Sequence, residues 1–215
     1  VLAGGAAGLA AAFNTPLGGI VYVIEELSRT HIGAFRSGVL HAVLVAGLVA
    51  QIVLGPYLYL GFPRLGVWAN QDLPWCALMG ALAGLVGALW ARSLFSVVRF
   101  RAKLATVRQQ AGFALVCGLL LSILVSLAGR GTMGSGRGVI EDLLFRTTDP
   151  AGAGLVVGRL AGSFVSFACG GAGGIFAPAL ASGAALASAL APAFSGIEPR
   201  LLIVLGMVGF LTGVT

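Results

Sequence analysis

The chain has 215 residues, 58% of them hydrophobic and only 9% charged, with a mean hydropathy of +1.01. A soluble domain carries about 25% charged residues, so this composition excludes one and points to a membrane protein. The formal net charge of +6 is no argument for nucleic acid, because the basic residues cluster between apolar stretches, where the positive-inside rule places them.

Charge-free stretches recur at 1–24, 37–63, 73–91, 111–129, 160–197 and 201–215. Several reach the roughly 20 residues needed to cross the hydrocarbon core, so the chain reads as an all-α, polytopic protein of the lipid bilayer. Its 34 glycines suit close helix contacts and interrupted helices. Cys76, Cys117 and Cys169 all sit in apolar segments and read as small hydrophobic side chains, not as disulfides or metal ligands. Val1 opens in mid-pattern without a basic leader, so the chain reads as cut from a longer one.

Residues 1–12 look like the second half of a tightly packed helix. Phe13-Asn14-Thr15-Pro16 breaks it, since proline disfavours helix at the residue before it. Asn14 or Thr15 caps the next helix, which runs from Pro16 to Leu27. Glu25 and Glu26 close that helix, with Arg29 and Arg36 beyond. Two readings stand. The carboxylates can lie among headgroups paired to arginines, or one can turn inward and carry protons, since ionisable groups at membrane depth are costly and tend to be functional. His31 and His41 could extend such a relay, although lone histidines in this setting more often pack or sit at the interface.

Ser37–Tyr59 is a second span, followed by a loop from Gly55-Pro56 whose Tyr57, Tyr59 and Trp68 suit an interfacial belt. Pro74–Ala91 opens a third span that extends towards Phe100. Arg92, Arg99, Arg101, Lys103 and Arg108 follow, and this cluster is placed in the cytoplasm. The 56–73 loop is then external and the 25–36 loop cytoplasmic. Ala111–Gly129 is a fourth span, and Arg130–Arg146 a polar connection with a turn at Gly134-Ser135-Gly136. Leu155–Ala168 is a fifth span carrying Arg159, which faces protein or a headgroup in a role the residues do not reveal.

Next comes the stretch around which the chain is organised, Gly170 to Pro178, followed by an apolar helix to Ala191. A glycine loop lets main-chain amides approach a ligand closely. The helix after it adds the unpaired amides of its first turn and the positive end of its dipole. No charged residue lies between Leu160 and Ile197, so this seat lies at bilayer depth, where interrupted helices hold anions in transporters. The competing reading is that the glycines only let helices pack. A phosphate loop would need Lys-Ser or Lys-Thr after the glycines, and neither is present. Arg200–Thr215 begins a further helix.

Residues 5–14 align without gaps to residues 206–215, sharing G-x-x-G, an apolar run and a terminal cap residue. Weak internal similarity of this kind accompanies inverted-repeat transporters, although two glycine-rich helices can match by chance. If the repeat is real, a proline-containing helix follows Thr215.

Two stretches carry a resemblance to the CLC family of chloride channels and chloride/proton antiporters. Gly173-Gly174-Ile175-Phe176-Ala177-Pro178 resembles its G-G-I-F-A-P segment. Gly8 to Ile20, continuing through Val23 to Leu27, resembles its A-A-A-F-N-x-P-L-x-G-I segment and glutamate-ended helix. The resemblance covers 1–215 and implies a partial transport domain with broken, re-entrant helices. It implies that the backbone N–H groups of Gly174, Ile175 and Phe176 bind the anion and that Glu26 transfers protons, with Glu25 its near neighbour. It further implies a homodimer in the plasma or inner membrane, with chloride and protons as the transported partners and no cofactor. Ala172 stands where the family usually has proline, and the family's serine, gating glutamate and tyrosine segments fall outside the chain.

Chloride/proton antiport is therefore the leading expectation, with a passive chloride channel of the same fold as the alternative. A membrane-embedded enzyme finds no supporting constellation, since the sequence has no paired His/Asp ligands and no G-x-S-x-G. A glycine-packed scaffold without transport activity is the third reading.

Overall fold

A computed structural model of the chain describes residues 2–22, 37–55, 60–63, 65, 69–146, 149–171 and 173–215. It divides into two compact units, 1–62 and 63–215. Among the described residues the regular structure is helical throughout.

In the first unit, α1 (Leu2–Phe13) packs on α3 (Ser37–Leu54) and on the short α2 (Pro16–Tyr22). Ala6, Ala10, Val39 and Val43 form its core, with Ala3 and Ile20 against it. Small side chains bring these backbones close: a Cβ on Gly19 would stand 2.6 Å from the Ala6 carbonyl oxygen. The break between α1 and α2 falls at Asn14, whose φ of 53° is in the left-handed region that asparagine tolerates. The Gln51 amide donates to Asn14 Oδ1 at 2.9 Å, which ties that break to α3. Thr15 is the cap, its carbonyl accepting from the Gly19 amide at 3.0 Å. The helix expected to run on to Leu27 is described only to Tyr22, so Glu25, Glu26, Arg29, His31 and Arg36 lie outside the described residues. Tyr57, Tyr59, Trp68 and Ala172 do so too.

The second unit is built on α4 (Leu73–Ala102), α5 (Val107–Ala128), α6 (Arg137–Glu141), α7 (Ala153–Cys169), α8 (Phe176–Leu190) and α9 (Pro199–Val214). Segments 70–102, 107–128 and 176–193 are long and apolar enough to cross a membrane. At 30 residues, α4 is about 45 Å long. It is one continuous helix that runs past Ala91 to Ala102, in keeping with the expected extension towards Phe100. Arg92, Arg99 and Arg101 belong to its final turns and not to a loop, because the arginines' long stems prolong the helix as readily as apolar residues do. A capping box then starts α5, with the Thr106 hydroxyl accepting from the Gln109 amide at 3.3 Å.

Helix α9 lies between α4 and α8, and glycine makes both contacts possible. A Cβ on Gly183 of α8 would stand 2.5 Å from the Gly206 carbonyl oxygen, and one on Gly209 would stand 2.5 Å from the Gly80 carbonyl oxygen of α4. Gly206 and Gly209 of the 206–215 stretch thus pack against neighbouring backbones, whereas Gly8 of the matching 5–14 stretch has open space beside it. Trp90 of α4 joins α7 to this group. Its indole N–H donates to the Leu160 carbonyl at 2.9 Å, and its ring meets Phe164 and Phe167 edge-on. The outer face of α5 exposes Leu115, Leu119, Ile123 and Leu127, an apolar surface suited to lipid and not to water.

The connection 130–146 is more than polar, which corrects the expectation. It holds a 3-10 turn at Arg130–Thr132, the helix α6 and a wider helical turn at Asp142–Arg146. Ile140, Leu143 and Leu144 from it are buried. Its charged positions form the i,i+4 pairs Arg137–Glu141 and Asp142–Arg146, while Met133 and Phe145 are also exposed.

Candidate functional site: a cavity at the tip of α8

Helix α7 ends at Gly170, whose φ of +92° is left-handed, a position that glycine occupies without a Cβ clash. The missing side chain makes room for Arg101 from the last turn of α4, whose guanidinium fills the space a Cβ would need. The loop then leads to Ile175, and α8 starts at Phe176. The first bond of that helix runs from the Ala179 amide to the Ile175 carbonyl at 3.0 Å. No side chain caps this end, and Pro178 has no amide to offer. The tip of α8 is therefore backbone, carrying the positive end of a 15-residue helix dipole.

The glycine loop before that tip, with Pro178 of its first turn, lines a cavity of about 660 Å³. Helix α5 supplies Leu121, Ser122 and Val125; the turn before α6 supplies Thr132, Met133 and Gly134. Helix α7 supplies Gly162, Ser163, Ser166 and Phe167, and the loop supplies Gly171, Gly173 and Gly174 with Pro178 behind them. Among the described residues, no wall residue is ionisable. The available polar groups are hydroxyls and main-chain groups in a mostly apolar setting.

Of the expected anion-binding residues, Gly174 is on the cavity wall. Ile175 turns its side chain into the core formed by Ala83, Ala179, Phe210 and Val214, which anchors the tip. Phe176 is half-buried at the start of α8. Glu26, the expected proton-transfer residue, lies outside the described residues and is not placed relative to this cavity.

Arg159 has a defined setting. Its side chain is fully buried, and Nη1 donates to the carbonyls of Gly131, Met133 and Gly134 at 3.2, 3.0 and 3.2 Å. Met133 and Gly134 also line the cavity while Arg159 does not, so the guanidinium engages carbonyl oxygens of wall residues without itself lining the cavity. Gly136 makes this possible: with φ of +78° and no Cβ, it leaves room for the rest of the guanidinium beside Ala181. Nε and Nη2 are buried with no hydrogen-bond partner among the described residues. Sequence reasoning found Arg159 as a lone charge in an apolar run but missed the 131–134 turn as its partner, because no local pattern links segments 25 to 28 residues apart. It missed Ser163 altogether, since a serine in an apolar helix gives no distinguishing signal.

A helical membrane protein with close glycine packing and an uncapped helix tip beside a cavity is the class these observations define. The model of the voltage gated chloride channel family matches residues 1–215, and the chain belongs to that family. It is 32% identical over 242 aligned positions to the H(+)/Cl(-) exchange transporter ClcA of Vibrio parahaemolyticus, covering 96% of this chain and 47% of that protein. Against the ClcA exchanger of Vibrio cholerae it is 34% identical, over 84% of this chain and 40% of the relative. The Cronobacter sakazakii ClcA exchanger is 30% identical, over 92% of this chain and 43% of the relative. The chain thus spans about half the length of the curated relatives it matches.

Proposed function

We propose that this chain forms part of a chloride/proton exchange path, with the anion seated at the main-chain N–H groups of Gly174, Ile175 and Phe176 and protons relayed through Glu26. The observation that carries the anion half is the uncapped tip of α8 against the cavity, where helix dipole and main-chain donors favour a negative charge. The exchanger names of the relatives support the proton half, and no observation favours a passive channel. The setting we propose is a multi-pass homodimer in the plasma or inner membrane, with no cofactor taking part.

The test is reconstitution of the full-length protein in liposomes. An outward chloride gradient is expected to drive protons inward against their own gradient, because exchange couples the two fluxes in opposite directions. Chloride flux that leaves internal pH unchanged would replace exchange with a channel, and no anion flux at all would leave only the scaffold reading.

A further inference from the structure

Ser163 differs from six other helical serines, and from Ser188, whose Oγ accepts from the Ala151 amide at 3.0 Å. Ser93, Ser96, Ser122, Ser126, Ser166 and Ser182 each donate their hydroxyl to the carbonyl four residues back, at 2.8–3.0 Å. That is the usual way a serine satisfies itself inside an apolar helix. Ser163 does not. Its hydroxyl makes no hydrogen bond among the described residues, although the residue is only 8% exposed, and what exposure it has faces the cavity. The other cavity hydroxyls are all committed: Ser122 to the Gly118 carbonyl, Ser166 to that of Gly162 and Thr132 to that of Gly129.

A hydroxyl with no protein partner at the wall of a mostly apolar cavity is available to bond what enters it. The cavity sets the sign of that partner. Arg159, one turn earlier on α7, donates Nη1 to the carbonyls of Gly131, Met133 and Gly134, so the Met133 and Gly134 acceptors of that wall are already engaged. The loop wall at Gly173 and Gly174 leads into the positive end of α8. Hydroxyl and helix tip both offer donors, and an acceptor-only ligand fits between them.

We propose that Ser163 is a side-chain ligand of a small monovalent anion in this cavity, donating its Oγ–H to the ion. This rests on the reading of the cavity as part of the anion path. A hydroxyl donor favours a compact, strongly hydrogen-bonding anion such as chloride over a large, weakly hydrated one such as thiocyanate.

The experiment is titration calorimetry of the full-length protein with chloride and with thiocyanate, on the native protein, Ser163→Ala and Ser163→Thr, with thermal midpoints in parallel. Ser163→Ala is expected to weaken chloride binding roughly tenfold, as loss of one hydrogen bond to a charged group implies. Thiocyanate binding and the thermal midpoint should hardly change. Ser163→Thr, which keeps the hydroxyl, is expected to stay within about threefold of the native affinity. Native-like chloride affinity in Ser163→Ala overturns the assignment, as does equal weakening for both anions or an equal loss in Ser163→Thr. If the native protein binds no chloride, the transport reading falls and takes this one with it; chloride binding that ignores Ser163 removes this assignment alone.

Discussion

The Gly209 Cα of α9 faces the Gly80 carbonyl of α4 so closely that a Cβ on residue 209 would stand 2.5 Å from that oxygen. Apolar burial gives little help to helix association in lipid, so this close approach supplies the van der Waals contact that holds α4 and α9 together. Gly209→Val is expected to destabilise the protein by about 1–3 kcal/mol through overpacking. Gly80→Ala has no atom within 4 Å of its new methyl and should stay within about 0.5 kcal/mol of the native protein. Thermal denaturation in detergent distinguishes the two, and equal midpoints would contradict the packing.

Arg159→Met removes the donor for three carbonyls at once. The thioether stem fills the volume but bonds none of them, so a loss of about 3 kcal/mol is expected. Exchange of the amides in 131–135 with deuterium should quicken as the turn loosens. A variant with native stability and native exchange rates would show that the turn holds itself.

Trp90→Phe keeps an aromatic ring near Phe164, Phe167 and Phe210 but loses the donor to the Leu160 carbonyl. One such bond contributes about 1 kcal/mol, and the lost indole volume adds to the cost. Removing the ring altogether with Trp90→Ala should cost about 3–5 kcal/mol. The same denaturation measurement checks both, and identical losses would assign the whole effect to the N–H.

For transport, Glu26→Gln in the full-length protein is expected to abolish proton movement in the liposome assay and leave chloride flux in place. The amide keeps the size of the side chain but has no proton to release near neutral pH. Persistent proton pumping by this variant would assign the relay to another residue, with Glu25 the first to examine by the same substitution.

Local chemistry made much of this readable. Asn14 and Pro16 mark the break between α1 and α2, because proline and left-handed asparagine act on their immediate neighbours. Gly170 marks the end of α7 for the same reason. The burial of Ile140, Leu143 and Leu144 was not readable, because Glu141 and Asp142 among them make the stretch look like a solvated loop. The run of α4 past Ala91 towards Phe100 was readable, since the arginines that mark a membrane boundary do not mark a helix end.

The sequence by itself determined the material: apolar helices for a bilayer, a glycine interruption at 170–174 and the family to which these belong. Each follows from composition or from residues adjacent in the chain. Only the tertiary structure decided that Arg159 serves the 131–134 turn, that Ile175 anchors the α8 tip in the core and that Ser163, not Ser166, keeps a spare donor at the cavity. Those outcomes depend on which helix packs on which face, and that is settled by contacts between residues far apart in the chain, where helical period alone is silent.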